Sequence, residues 1–151
     1  MKLKRVAATA AALSAFAGAG LALAAPASAS STLGSTCSDL RSSGQCLQLF
    51  YNSGFGGSYS YYEGTTSVPV MASSDKFLTG GAGQGQEIKN NAASARNFTS
   101  QGFWVSIYYN SWGDGPCDAI APNKSASKLV NTYNENASAY SGKGDGCYVF
   151  N

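Results

Sequence analysis

The chain contains no histidine. That absence removes Ser-His and Cys-His nucleophilic machinery, and with it the imidazole that many metal sites rely on. None of the four cysteines forms a C-x-x-C pair, so a structural zinc site is a weak alternative for them. Charge is also scarce, with ten Lys+Arg and eight Asp+Glu in 151 residues. The carboxylates are Asp39, Glu63, Asp75, Glu87, Asp114, Asp118, Glu135 and Asp145, and no two of them form a paired motif. Most stand beside Gly, Ser or Asn, where they read as solvated turn residues, and the chain reads as not an enzyme. Long amphipathic helical periodicity is missing after residue 30, which sets aside an α-helical domain.

The first 29 residues read as a signal peptide. Lys2, Lys4 and Arg5 make a basic start, Val6 to Ala25 is an Ala/Leu-rich apolar run, and Ala27-Ser28-Ala29 supplies small residues before a cut at Ser30. No later stretch is apolar enough to cross a bilayer. The expected product is secreted, with no membrane association after cleavage. Three of the ten basic residues lie in the leader, which leaves seven against eight acidic residues, a net charge of −1. A nearly neutral domain is a poor electrostatic match for nucleic acid.

What remains is a single domain, about 120 residues with room for one modest core. A polar lead-in, residues 30–44, precedes a domain over 45–151. Four cysteines in an exported domain predict two disulfides. Three pairings are possible on paper; the internal duplication described next favours Cys37–Cys46 and Cys117–Cys147.

The chain is organised around Gln101 to Pro116, QGFWVSIYYNSWGDGP. Phe103, Val105, Ile107 and Tyr109 alternate with Trp104, Ser106 and Tyr108 as in a strand, and a cluster of turn residues follows. The same pattern occurs at Gln45 to Gly57, QCLQLFYNSGFGG. Setting Tyr51-Asn52-Ser53 on Tyr109-Asn110-Ser111 places Leu47 on Val105, Leu49 on Ile107 and Gly57 on Gly115. Two strand-turn units imply two repeats, 45–100 and 101–151.

Within the first repeat, Ser58 to Tyr62 reads as a return strand, and Thr65 to Ala72 as a strand that Pro69 confines to an edge. Gly80 to Gly85, GGAGQG, lacks the G-K-[ST] and the following helix of a phosphate loop and reads as a turn. Ala95 to Thr99 returns as a strand. The second repeat continues with Cys117–Ile120, a polar loop Ala121–Ser127, a strand Lys128–Val130, a turn ending at Ser138, and a closing strand Tyr148–Phe150.

Each half thus carries an aromatic-ended strand, a Y-N-S-x-x-x-G turn and a downstream N-x-x-A-S, at Asn90–Ser94 and Asn134–Ser138. This resembles the βγ-crystallin Greek-key motif. From Cys46 to Phe150, through LFYNSGFGGSY, GAGQGQEIKNNAASARNF and IYYNSWGDG…IAP…LVNTYNENAS, the chain is more closely similar to the secreted actinobacterial proteins grouped as peptidase inhibitor family I36. The resemblance implies an all-β, disulfide-bonded two-sheet Greek-key sandwich of about eight strands, and a monomer that inhibits an extracellular protease, a metalloprotease above all, by inserting a rigid loop.

On that resemblance the inhibitory loop is Trp112 to Pro122, with the reactive bond at Cys117-Asp118 and with Ala119 and Ile120 following. Asp118 departs from the apolar residue that a thermolysin-like enzyme favours after the cut, and Ile120 is the nearest apolar substitute. The resemblance also brings a calcium motif, [ND]-[ND]-x-x-[ST]-S, matched loosely by Asn90, Asn91 and Ser94 and by Asn134, Glu135 and Ser138. Both copies end in Ala (Ala95, Ala139) where the last Ser belongs, and the first has no carboxylate, so at most weak calcium is expected and no other cofactor. The alternative function is a glycan-binding or antifungal module that uses Tyr59, Tyr61, Tyr62, Tyr108, Trp112 and Tyr140 as a stacking surface, although alternating aromatics in strands ordinarily pack as core and cross-strand pairs.

Overall fold

The computed structural model describes residues 32–34, 45–64, 67–98 and 102–151. Ten strands are formed: β1 Thr32–Gly34, β2 Cys46–Phe50, β3 Tyr59–Glu63, β4 Ser67–Val68, β5 Ser94–Asn97, β6 Val105–Tyr108, β7 Cys117–Ile120, β8 Ser125–Ala126, β9 Ser138–Ser141 and β10 Tyr148–Phe150. They make two five-stranded sheets, ordered β1-β3-β2-β5-β8 and β10-β7-β6-β9-β4.

The order shows how the halves are joined. β4 follows the first hairpin in sequence, yet it pairs antiparallel with β9 of the second half, Val68 opposite Ala139. β8 belongs to the second half and pairs with β5 of the first, Ala95 opposite Ala126. Each half therefore lends one short strand to the other's sheet. Pro69 comes directly after β4, at the sheet edge, where its missing N–H breaks no ladder bond.

The core follows from the alternation. Leu47 and Leu49 of β2, Val105 and Ile107 of β6, Ile120, Ala95, Ala126 and Ala139 are all fully buried between the sheets. Loop residues Met71, Phe77, Ile88 and Leu129 close the same cluster.

The two hairpins are built alike. Tyr51 N donates to Ser58 O at 3.0 Å and Tyr109 N to Pro116 O at 2.9 Å. In the first, the Ser94 hydroxyl donates to Asn52 O at 2.6 Å and accepts from Phe55 N at 3.1 Å. In the second, Ser138 donates to Asn110 O at 2.6 Å and accepts from Gly113 N at 3.0 Å. A buried serine thus holds each hairpin folded over its own sheet, the side-chain-to-backbone role that serine fills in turns.

Several expectations change. The count is ten strands because the expected lead-in contributes β1, antiparallel to β3, and β9 forms after the Asn134 turn; the expected closing strand Tyr148–Phe150 is β10, parallel to β7. Lys128–Val130 is not a strand: Leu129 N turns to Ala93 O, and Val130 N turns to the Asp118 carboxylate. The third strand of that half lies earlier, at Ser125–Ala126, inside the expected polar loop. The Asn134 turn runs straight into β9 at Ser138. Cys117–Cys147 is formed, with Cα atoms 4.5 Å apart. Cys46 is disulfide-bonded; Cys37, its expected partner, lies outside the described residues.

Candidate functional site

The segment expected to carry the reactive bond is not a loop. Cys117, Asp118, Ala119 and Ile120 form β7, an inner strand between β6 and β10, and all four are buried. Ile107 opposite Asp118 and Val105 opposite Ile120 put both side chains on the core side. A peptidase cannot reach the Cys117–Asp118 bond while both neighbouring strands are paired to it. The carboxylate of Asp118 is fully engaged: it accepts from Val130 N at 3.1 Å, Asn131 N at 3.1 Å, Thr132 N at 2.9 Å and the Thr132 hydroxyl at 2.7 Å. Asp118 is an anchor for the backbone of the following loop, and it is the fully buried acidic residue among the described residues.

The calcium motifs come apart in a different way. Ser94 and Ser138 are buried, with their hydroxyls committed to the hairpins as described. Asn91 donates to Lys89 O at 3.0 Å. Asn90 and Asn134 take matching left-handed conformations, φ 61° and 54°. Asn90 and Glu135 line one open cavity of about 250 Å³, together with Lys89, Asn110 and Ser111. That set offers a single carboxylate, and the Lys89 ammonium shares the cavity. Calcium affinity grows with carboxylate number, so the donor set here suits calcium poorly. No cluster of three or more His, Cys, Asp or Glu side chains occurs among the described residues.

The part of the expected loop that does project is its first half. The hairpin Tyr109–Pro116 is closed by Tyr109 N to Pro116 O, Asn110 N to Asp114 O at 3.0 Å and Asn110 Nδ2 to Asp114 Oδ2 at 3.1 Å. Trp112 N donates to Pro69 O at 2.6 Å, and the Cys117–Cys147 bond lies at its base. At its tip the Trp112 side chain is 74% exposed.

Trp112 is also held at φ 67°, ψ 20°. The matching position of the first hairpin is Gly54, at φ 67°, ψ 22°. The next position is reversed, Phe55 at φ 63° against Gly113 at φ 74°. Both hairpins thus put one aromatic into the left-handed region that glycine accepts freely. For Phe55 the packing explains it: its ring lies 5.5 Å from that of Phe50 and 4.1 Å under the Arg96 guanidinium. Trp112 has no ring or cation contact of that kind among the described residues.

No protein-family model matches this chain, and no curated protein matches it in sequence. A solved structure reported as "Evolution of the eye lens beta-gamma-crystallin domain fold" superposes with a TM-score of 0.53, over 76% of this chain and 100% of that one. The fold is the βγ-crystallin fold. At 12% identity the likeness speaks for architecture alone. The two hairpins share one backbone course, and at Trp112 the second carries an aromatic side chain where the first carries Gly54.

Proposed function

We propose that this βγ-crystallin-like domain is a secreted, non-catalytic inhibitor of an extracellular peptidase, a metalloprotease first, and that Tyr109–Pro116 is the element it inserts. The observation that carries the reading is Trp112: a large apolar side chain, 74% exposed, on a strained and tightly hydrogen-bonded hairpin tip. The fold gives this left-handed position to Gly54 in the first hairpin and to a tryptophan here, and non-glycine residues held in that region cluster at functional sites. Tryptophan is also the residue type most enriched among binding hot spots. Pre-ordering lowers the entropy cost of entering a cleft, and the bonds that close this hairpin supply it. The leader-like residues 1–29 and the Cys117–Cys147 disulfide suit an oxidising, extracellular setting. The class of peptidase rests on the resemblance to inhibitor family I36.

The test is a titration of a thermolysin-type metalloprotease and a subtilisin-type serine protease with the oxidised protein. Stoichiometric loss of the metalloprotease activity is expected, with Trp112→Ala relieving it. Full activity of both enzymes at micromolar excess rejects the reading.

A further inference from the structure

A second cavity, about 390 Å³, opens where the end of β5 meets the edge strand β8. Its size falls in the range of roughly 300–1,000 Å³ usual for small-ligand sites. Arg96, Asn97, Phe98, Asn123, Lys124 and Ser125 line it. The backbone beneath is fixed: Arg96 faces Ser125 across the β5–β8 ladder, Asn97 N donates to Lys124 O at 3.0 Å, and Lys124 N donates to Ala121 O at 3.1 Å. These bonds bring two cations to one cavity.

Neither Arg96 nor Lys124 pairs with a carboxylate among the described residues. Two like charges at one concave site favour an anion there, and low-dielectric walls strengthen the effect. The Arg96 guanidinium carbon is held over two rings, 4.1 Å from the Phe55 centroid and 5.4 Å from that of Phe50. A guanidinium carries five N–H donors in a planar fork that matches a carboxylate or phosphate. Phe98 adds an apolar ring to the wall, and the Tyr61 ring 6.5 Å away extends that aromatic surface. Asn97 is fully buried and gives its amide to Phe103 O, Ile120 O and Ala121 O, while its Oδ1 has no donor.

We infer that this cavity binds an anionic saccharide, with the anion between Arg96 and Lys124 and the apolar face of the sugar on the Phe98 ring. The inference uses nothing of the Trp112 hairpin and stands apart from the peptidase reading.

The experiment is a ¹H–¹⁵N NMR titration of the oxidised protein with four probes. These are trigalacturonic acid (carboxylate source), glucose 6-phosphate (phosphate source), cellotriose (neutral sugar) and inorganic phosphate (bare anion). Saturable shifts at Asn97, Phe98 and Lys124 are expected with one or both anionic sugars, at a Kd below about 1 mM, and which of the two binds more tightly names the source. Lys124→Glu, an exposed change, is expected to weaken that binding about tenfold or more, the loss of one charge-assisted contact. Arg96→Gln is the second variant, read together with its melting curve because Arg96 also packs on Phe50 and Phe55. Three results overturn the inference: no shifts with either anionic sugar, cellotriose binding as well as they do, or inorganic phosphate matching their affinity. Unchanged binding by Lys124→Glu overturns it too.

Discussion

Asp118 occupies in the second half the place that Ser60 holds in the first. Asp118 lies opposite Ile107 across β6–β7, and Ser60 lies opposite Leu49 across β2–β3, with Ile107 and Leu49 at matching positions of the two repeats. Both face the core, and both tie down a loop of their own half. Ser60 accepts from Leu78 N at 2.9 Å and donates to Lys76 O at 2.8 Å, while Asp118 takes the N–H groups of Val130, Asn131 and Thr132. The symmetry gives the acidic residue a structural task. Asp118→Ala is expected to lower unfolding free energy by about 3 kcal/mol, because it strands several buried donors at once. Ser60→Ala removes a neutral group and should cost about 1 kcal/mol. Urea unfolding measures both; a surface-like effect of under about 0.5 kcal/mol for Asp118→Ala would contradict the anchor.

Ser94 and Ser138 make the same pair of bonds in the two hairpins, so their removal should cost the same. Each Ser→Ala change is expected to destabilise by about 1–2 kcal/mol, and the double change by the sum, since the sites share no partner. Unequal single losses would mean that the hairpins differ in how they are held.

How much of this was legible beforehand depends on chain locality. The repeat of Leu47-x-Leu49…Tyr51-Asn52-Ser53 at Val105-x-Ile107…Tyr109-Asn110-Ser111 gave the two hairpins, and Pro69 gave an edge strand, because each is a statement about neighbouring residues. β8 was hidden because a two-residue strand, Ser125–Ala126, exists only through its partner in the other half. Asp118 was misplaced because an acid in a short C-D-A-I stretch looks exposed until its donors, 12 to 14 residues away, are known. One signal was available. The same alignment of the repeats sets Asp118 against Ser60, a core-side polar residue in a strand of alternating aromatics.

The glycine-rich turn 80–85 also acquires a specific cause. A Cβ on Gly83, which sits at φ 85°, would fall inside the Tyr51 ring, whereas a Cβ on Gly85, at φ 78°, meets nothing. Both changes to Ala pay the left-handed penalty of about 1–2 kcal/mol, and only Gly83→Ala adds a clash with a ring that packs edge-on to Phe77, 5.7 Å away. Thermal melts should show Gly83→Ala as clearly the more damaging, with the Tyr51 environment changed in near-UV circular dichroism. Equal shifts would remove the aromatic contact from the account.

Alkaline pH should unfold the domain through Tyr62. Burial first, and then the charge of Asp75, to which its hydroxyl donates at 2.8 Å, push the phenol well above its ordinary value. The folded state therefore resists losing the proton that the unfolded chain gives up near pH 10. Stability from this group is complete below about pH 10 and declines above it, by up to about 1.4 kcal/mol per pH unit. Tyr62→Phe removes that slope while also losing the Asp75 bond. Urea midpoints between pH 8 and 11 measure it, and identical slopes for the two proteins would exclude Tyr62 as the source.

Trp112 supplies the sharpest trade. The first hairpin places Gly54 at the same backbone angles, so Trp112→Gly relieves strain in a conformation the fold already accepts. The relief is expected to raise stability by up to about 1 kcal/mol, since a non-glycine residue in the left-handed region costs about that much and the exposed ring buries little that would be lost. On the proposed function the same change removes the anchoring side chain and abolishes inhibition. A variant that is as stable or more stable, yet no longer inhibits, is the signature of strain retained for binding. If Trp112→Gly instead destabilises by more than about 1 kcal/mol, the indole contributes to folding. Its exposed, strained position would then need no binding partner to explain it.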